Sequence, residues 1–178
     1  MPELPSHPSE ISSFAKIQKF TTMLESIGGT ALTITDLTEL ISKIDKMKLD
    51  NQAVICLSPE LETSGIRITE GQTATELESI HTAFITASYG VAENGAVWIT
   101  ESAFVNRLVP FICQHLVILL DAKKIMLDMH EAYANIQTDK EGYGLFLAGP
   151  SKTADIEQLL VIGAHGARTT TVYLLNSK

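Results

Sequence analysis

The residues best suited to chemistry lie in one run, Gly149-Pro150-Ser151-Lys152-Thr153-Ala154-Asp155-Ile156-Glu157, followed by Gly163-Ala164-His165-Gly166. An apolar run at 145–148 precedes it, so the pattern predicts a buried strand, a turn at Gly149-Pro150 and a helix from Thr153. In that reading Ser151 or Thr153 caps the helix, and Asp155 and Glu157 fall in or near its first turn, where the dipole favours negative charge. The free N–H groups of such a turn, with the hydroxyls of Ser151 and Thr153, would cradle an anion. Plain capping is the alternative, and the two are compatible because one helix end can serve both. Asp155 and Glu157 stand two residues apart and do not share a helix face, so one of them is a ligand candidate, and we take Asp155. His165 suits a polar contact or a general acid, since an unperturbed imidazole titrates near neutrality. A structural histidine bonded to the backbone is the competing reading.

A second informative stretch is Ala92-Glu93-Asn94-Gly95-Ala96, between two β-prone runs. Asn94-Gly95 is a strong short-range hairpin signal. Glu93 is then either a carboxylate at the mouth of a pocket or a solvated hairpin charge. Arg107 could hold a carboxylate or phosphate with its planar fork, or form a surface ion pair. His115 precedes a buried strand and reads as structural. His7, His81 and His130 show no ligand spacing, so no metal site is expected. Trp98 reads as core.

These residues must be positioned by alternating elements. Apolar residues at Ile11, Phe14, Ile17, Phe20, Met23, Leu24 and Ile27 form one helical stripe that Gly28-Gly29 ends. A short strand is expected over 31–34, a helix from a capping box of Asp36 and Glu39, and a buried strand over 53–57. That strand–helix–strand order suggests a parallel sheet with a crossover helix. Further on, we expect a strand and loop over 61–72, a helical turn over 75–81 and strands over 84–87 and 116–120. A brief helix over 104–112 should be interrupted at Pro110, and a helix should run over 125–136. A last strand is expected over 170–175. The expected class is α/β, mainly parallel, with a hairpin in the middle.

The chain has 178 residues, 45% hydrophobic and 19% charged, enough for one domain with a real core behind a loose end over 1–8. A net charge of −8 argues against nonspecific nucleic-acid binding, which needs cations to neutralise phosphates. Cys56 and Cys113 lie far apart in apolar runs and lack the spacing of a zinc site or an iron–sulfur cluster, so no cofactor is expected in this chain. No apolar run has membrane-spanning length and no signal peptide is apparent, so a cytoplasmic location is expected.

The motifs resemble those of the lactate-utilisation (LUD) domain family, the group that includes the C component of the bacterial lactate-utilisation operon. Residues 149–157 are similar to the family's GPSxTADIE, 163–166 to its GxHG and 92–96 to its AETGT. Arg107-Leu108 and His115 match its RL…H run. The resemblance is good over about residues 83–175. It implies a three-layer fold like that of the NagB, ribose-phosphate isomerase and CoA-transferase group. It also implies an accessory role beside iron–sulfur partner subunits in the oxidation of L-lactate to pyruvate. The alternatives are a free-standing isomerase- or CoA-transferase-like enzyme, with Glu93 as base or nucleophile as in the wider fold group, or an organic-acid-binding regulatory module. On this basis Glu93 and His165 are catalytic candidates, and Gly149, Ser151, Thr153, Asp155, Asn94 and Arg107 are ligand or anion candidates. Asn94 and Ala96 stand where the family often has threonines, and Ala167 replaces a common proline. Pro110 also lies earlier than the family's usual proline near His115.

Overall fold

The computed structural model describes residues 12–61, 66–136, 142–154, 160–162 and 166–176. In chain order the elements are α1 (Ser13–Ser26), β1 (Thr30–Ile34), α2 (Thr38–Leu49), β2 (Val54–Cys56), α3 (Ala74–Leu77), β3 (Thr82–Thr86), β4 (Tyr89–Val91), β5 (Ala96–Thr100), α4 (Val109–Ile112), β6 (His115–Asp121), β7 (Ile125–Met126), α5 (Met129–Asn135), β8 (Gly144–Leu147), β9 (Lys152–Ala154), β10 (Leu160–Ile162) and β11 (Thr169–Leu175). A five-stranded sheet runs β1-β11-β6-β3-β2, parallel at every pairing. A four-stranded sheet runs β7-β4-β5-β8 around the antiparallel β4–β5 hairpin.

Alternation along the parallel strands builds two cores, because successive side chains face opposite sides of a sheet. Leu116, Ile118 and Leu120 of β6, with Ala83, Ile85, Val172 and Leu174, pack toward Phe20 and Leu24 of α1 and Val97 and Ile99 of β5. Val117, Leu119, Phe84 and Tyr173 face the other way, onto Leu40 and Ile44 of α2. The result is three layers: α2, the parallel sheet, and the second sheet with α1. The expected α/β class with a central hairpin is therefore what the chain adopts. The β1–α2–β2 start does enter one parallel sheet, but β1 and β2 lie at its opposite edges.

Local chemistry explains where the elements stop. Ser12 caps α1 by accepting from the Ala15 N–H at 3.3 Å. At its other end Gly28 takes φ +88°, Gly28 N–H donates to Glu25 C=O and Gly29 N–H to Leu24 C=O, each at 2.9 Å. That pattern satisfies two of the helix's last carbonyls, as a Schellman ending does.

Several expected elements differ. Asp36 does not form a capping box with Glu39; its Oδ1 instead accepts the Thr38 N–H at 2.8 Å, a local turn that competes with the cap. The box that forms is Thr73 with Glu76, at the start of α3. No strand occurs among the described part of 61–72. Pro110 lies within the first two positions of α4 and starts that helix rather than breaking it, since an N–H there has no intrahelical partner. The helix expected over 125–136 begins only at Met129. Ile125 and Met126 pair with β4, and Asp128 caps the turn by accepting from Glu131 N–H at 2.8 Å. The helix expected from Thr153 does not occur among the described residues. Residues 152–154 form β9, paired antiparallel with β10, where Leu160-Val161-Ile162 has the strand preference of apolar, largely β-branched side chains.

Glycines let other segments approach the end of α1 closely. At Gly95 (φ +70°) a Cβ would lie 2.6 Å from Leu24 N and 2.8 Å from Leu24 Cα, whereas at Gly28 it would meet only the Lys152 side-chain end and Pro150, no closer than 3.4 Å. Both substitutions to alanine strain a positive φ, at about 1–3 kcal/mol. Gly95→Ala also drives into backbone, so it should destabilise clearly more than Gly28→Ala in urea unfolding. Equal losses would show that the hairpin tip is not held against α1.

Candidate functional site

Where β8 leaves the second sheet, the chain turns at Gly149 and crosses to the amino end of β11. Between them lies a cavity of about 320 Å³, lined by residues that include Phe111, Phe146, Ser151, Lys152, Gly166 and Thr170. This is at the small end of ligand pockets, about 300–1,000 Å³. Ser151 N–H donates to Ala167 C=O at 3.0 Å, which ties the turn to the segment entering β11. Gly166 is required there, because a Cβ would come within 2.9 Å of Ser151 Cβ. Gly149 is buried, has φ +70°, and a Cβ on it would stand 3.1 Å from Ile27 C=O at the end of α1.

The polar groups of this cavity are few. Thr170 is 2% exposed, and its Oγ1 is buried without a hydrogen-bond partner among the described residues. A buried hydroxyl without a partner is costly, and a ligand or water in the cavity would satisfy it. Lys152 is exposed, and its ammonium end lies over Gly28, at the carbonyl end of α1, where the helix dipole favours a cation. Among the described residues the cavity thus offers one cation, Lys152, and the hydroxyls of Ser151 and Thr170, with the rings of Phe111 and Phe146 also in its lining. That set complements a small acid with an apolar end.

Of the expected residues, Gly149 and Ser151 line this cavity together. Ser151 precedes a strand, so it is no helix cap, and the helix-end anion cradle is not formed. Thr153 lies in β9, and Asp155 and His165 fall outside the described residues. Glu93 and Asn94 are elsewhere. Glu93 is exposed, and its Oε2 accepts the Met129 N–H of α5 at 3.0 Å; it is not among the described residues of the cavity. Asn94 Oδ1 accepts from Ala96 N–H at 3.0 Å and shapes the hairpin turn. Arg107 forms the surface ion pair that was its alternative, with Glu101 at 2.6 Å. It also lies 4.4 Å over the Tyr143 ring. It lines a different cavity, of about 510 Å³, with Glu70, Gln72 and Asn106.

Two features escaped the sequence reading. Thr170 is one of three consecutive threonines, and only the pleat of β11 shows which one is buried. At the carboxyl ends of β2 and β3, Ser58 Oγ donates to Glu60 Oε2 at 2.6 Å and Thr86 Oγ1 donates to the same oxygen at 3.1 Å. Burial pushes the Glu60 carboxyl up, but the bonds from Ser58 and Thr86 and the charge of Lys124 outweigh it and hold it below the ordinary value. The Ser-x-Glu spacing was visible; Thr86, far along the chain, was not. Burial raises the Cys113 thiol to about 12, so it is inert at neutral pH.

Replacing the Thr170 hydroxyl by a methyl group of the same shape removes an unmet polar group. Thr170→Val should therefore stabilise the free protein by about 1 kcal/mol, measured by urea unfolding. A loss of stability would mean that the hydroxyl is already satisfied in the empty protein.

The LUD domain profile matches residues 60–175. The crystal structure of a DUF162 family protein from Deinococcus radiodurans aligns with a TM-score of 0.72 and 16% identity, over 94% of this chain and 100% of that one. At that identity the likeness shows the fold. No curated protein matches the chain. The profile spans every strand from β3 to β11, including both walls of the cavity, and on that match the chain belongs to the LUD domain family.

Proposed function

We propose that this protein is an accessory, ligand-binding component of L-lactate utilisation, acting with iron–sulfur partner subunits. The LUD family is linked to lactate utilisation, and the step to this particular role rests on the cavity. The observation that carries it is the unpartnered Thr170 hydroxyl beside Ser151 and Lys152. A three-carbon hydroxy or keto acid fits those groups. Its carboxylate meets the Lys152 ammonium, its oxygen bonds Thr170 or Ser151, and its methyl packs on Phe111 and Phe146. Buried polar groups that a ligand satisfies also give strong discrimination, because an analogue lacking the matching group leaves them unmet.

The accessory role draws support from Glu93. A reacting carboxylate should stand at the ligand, whereas Glu93 is exposed and bonded to the start of α5. The cavity is also small for a CoA-sized group. The redox step of lactate oxidation then belongs to the partner subunits, where iron–sulfur clusters are expected, and this chain holds the acid.

Calorimetry with L-lactate and pyruvate, followed by affinity purification of the tagged protein from cells grown on lactate, tests the reading. At about 100 times its dissociation constant a bound acid stabilises the native state by about 2.7 kcal/mol. Binding should weaken at least tenfold, by about 1.4 kcal/mol or more, in Thr170→Val. Proteins with iron–sulfur absorbance should co-purify. Absence of both acid binding and such partners would sink the proposal. Turnover by the isolated chain that Glu93→Gln abolishes would replace it with the free-standing enzyme.

A further inference from the structure

The amino edge of the parallel sheet carries a second cluster, on the α2 side. Thr82 of β3, His115 of β6 and Thr169 of β11 are register partners across three neighbouring strands. His81 immediately precedes β3, and Arg168 immediately precedes β11. The His81 and His115 rings lie with centroids 4.8 Å apart and planes tilted 45°. Each Nδ1 is taken: that of His81 bonds Thr82 Oγ1 and that of His115 bonds Thr169 Oγ1, both at 2.8 Å. These bonds orient both rings and leave each Nε2 without a partner among the described residues. Both histidines are half-buried, so a small ligand can reach them.

Among the described residues, the charges that act on His115 are all positive. Arg168 is exposed, and among the described residues the ion pairs are Lys16 with Glu131 and Arg107 with Glu101, so no described carboxylate neutralises it. From α2, Lys43 Nζ reaches Tyr173 Oη at 3.3 Å, on the same face of β11 as Thr169. Burial, and then the charges of His81, Arg168 and Lys43, hold the His115 imidazole below its ordinary value. Four basic side chains so grouped in a chain of net charge −8 call for a function.

Two histidines whose Nδ1 atoms are held by neighbours resemble half of a metal site. A guanidinium and an ammonium nearby would repel a cation, however, and among the described residues no group of three or more metal-ligating side chains exists. An anion reverses that sign. We propose that His81, His115 and Arg168 bind the doubly charged phosphate group of a small phosphorylated compound. The guanidinium meets two terminal oxygens with its fork, and the two Nε2–H groups donate to the third terminal oxygen and to a free lone pair of the first two. Lys43 adds charge from α2. The site is distinct from the Ser151–Thr170 cavity, because Thr169 and Thr170 are adjacent in β11 and face opposite sides of the sheet.

The sign of the pH dependence follows from linkage. A neutral imidazole whose Nδ1 accepts from the threonine hydroxyl already donates through Nε2–H. Protonation adds a positive charge that burial and the neighbouring cations disfavour at His115 in the free protein; a bound anion offsets that penalty. Anion and proton therefore bind together, and affinity falls as pH rises through the histidine range.

Sulfate is the first probe, because its charge stays constant between about pH 6 and about pH 8, where imidazole titrates. Binding is read by calorimetry and by the imidazole nitrogen resonances, since sulfate stabilises folded proteins generally and a melting shift alone would mislead. The expected result is movement of the His81 and His115 signals and binding about tenfold tighter at the lower pH. Arg168→Gln and His115→Asn should each weaken it at least about tenfold, asparagine keeping a partner for Thr169 near the Nδ1 position. Saturating L-lactate should leave the sulfate isotherm unchanged. Inorganic phosphate and glycerol 3-phosphate then compete with sulfate: competition by the monoester assigns the site to phosphorylated metabolites, and by inorganic phosphate alone to the free ion. Unmoved imidazole signals, or sulfate binding that Arg168→Gln leaves intact in a folded protein, would overturn the proposal.

Discussion

The close approach of backbone to the last turn of α1 is the constraint on which the rest of this molecule depends. Gly95 brings the hairpin tip against Leu24, Gly29 folds under the Leu24 side chain, and Gly149 brings the turn after β8 against the Ile27 carbonyl. Each is a contact that a side chain would block. Leu24 is at the same time 1% exposed in the core shared by both sheets. One helix end thus sets the second sheet relative to the parallel sheet and places the Gly149 turn relative to both.

The cavity follows from that arrangement. With the Gly149 turn held on α1 and Ser151 N–H tied to Ala167, the space between β8 and the start of β11 is bounded on both sides. Its floor is β11, whose central residues are buried, and the same pleat that sends Val172 and Leu174 into the core sends Thr170 inward as well. A hydroxyl carried into an apolar layer by strand alternation is either an expense or a binding group, and the neighbouring Ser151 and Lys152 favour the second. On the opposite face the same alternation sends Thr169 and His115 outward, beside His81. One strand therefore presents two adjacent threonines to two different environments.

Much of the fold was legible because it is local. The apolar stripe from Phe14 to Ile27, the Gly28-Gly29 ending, the Asn94-Gly95 turn and the parallel strands all show in the order of residue types. The failures came where a three-dimensional partner decided. Residues 152–154 carry hydroxyl and small side chains that suit a helix start, yet they pair with Leu160-Val161-Ile162 as strands. Ile125 and Met126 fit a helical stripe, but β4 claims them as an edge strand. The site was legible in part. Gly149 and Ser151 stood out by motif, and both reach the cavity. Thr170 did not, because nothing in three successive threonines marks the middle one. Glu93 and Arg107 looked like ligand groups, and each instead spends its charge on a neighbour, Met129 N–H and Glu101.

The most direct test of the account is a crystal structure of the protein grown with pyruvate. We expect the acid in the cavity between the Gly149 turn and β11, with an oxygen within hydrogen-bond distance of Thr170 Oγ1 and its methyl group against Phe146. Pyruvate bound elsewhere, with Thr170 Oγ1 satisfied by ordered water alone, would contradict it.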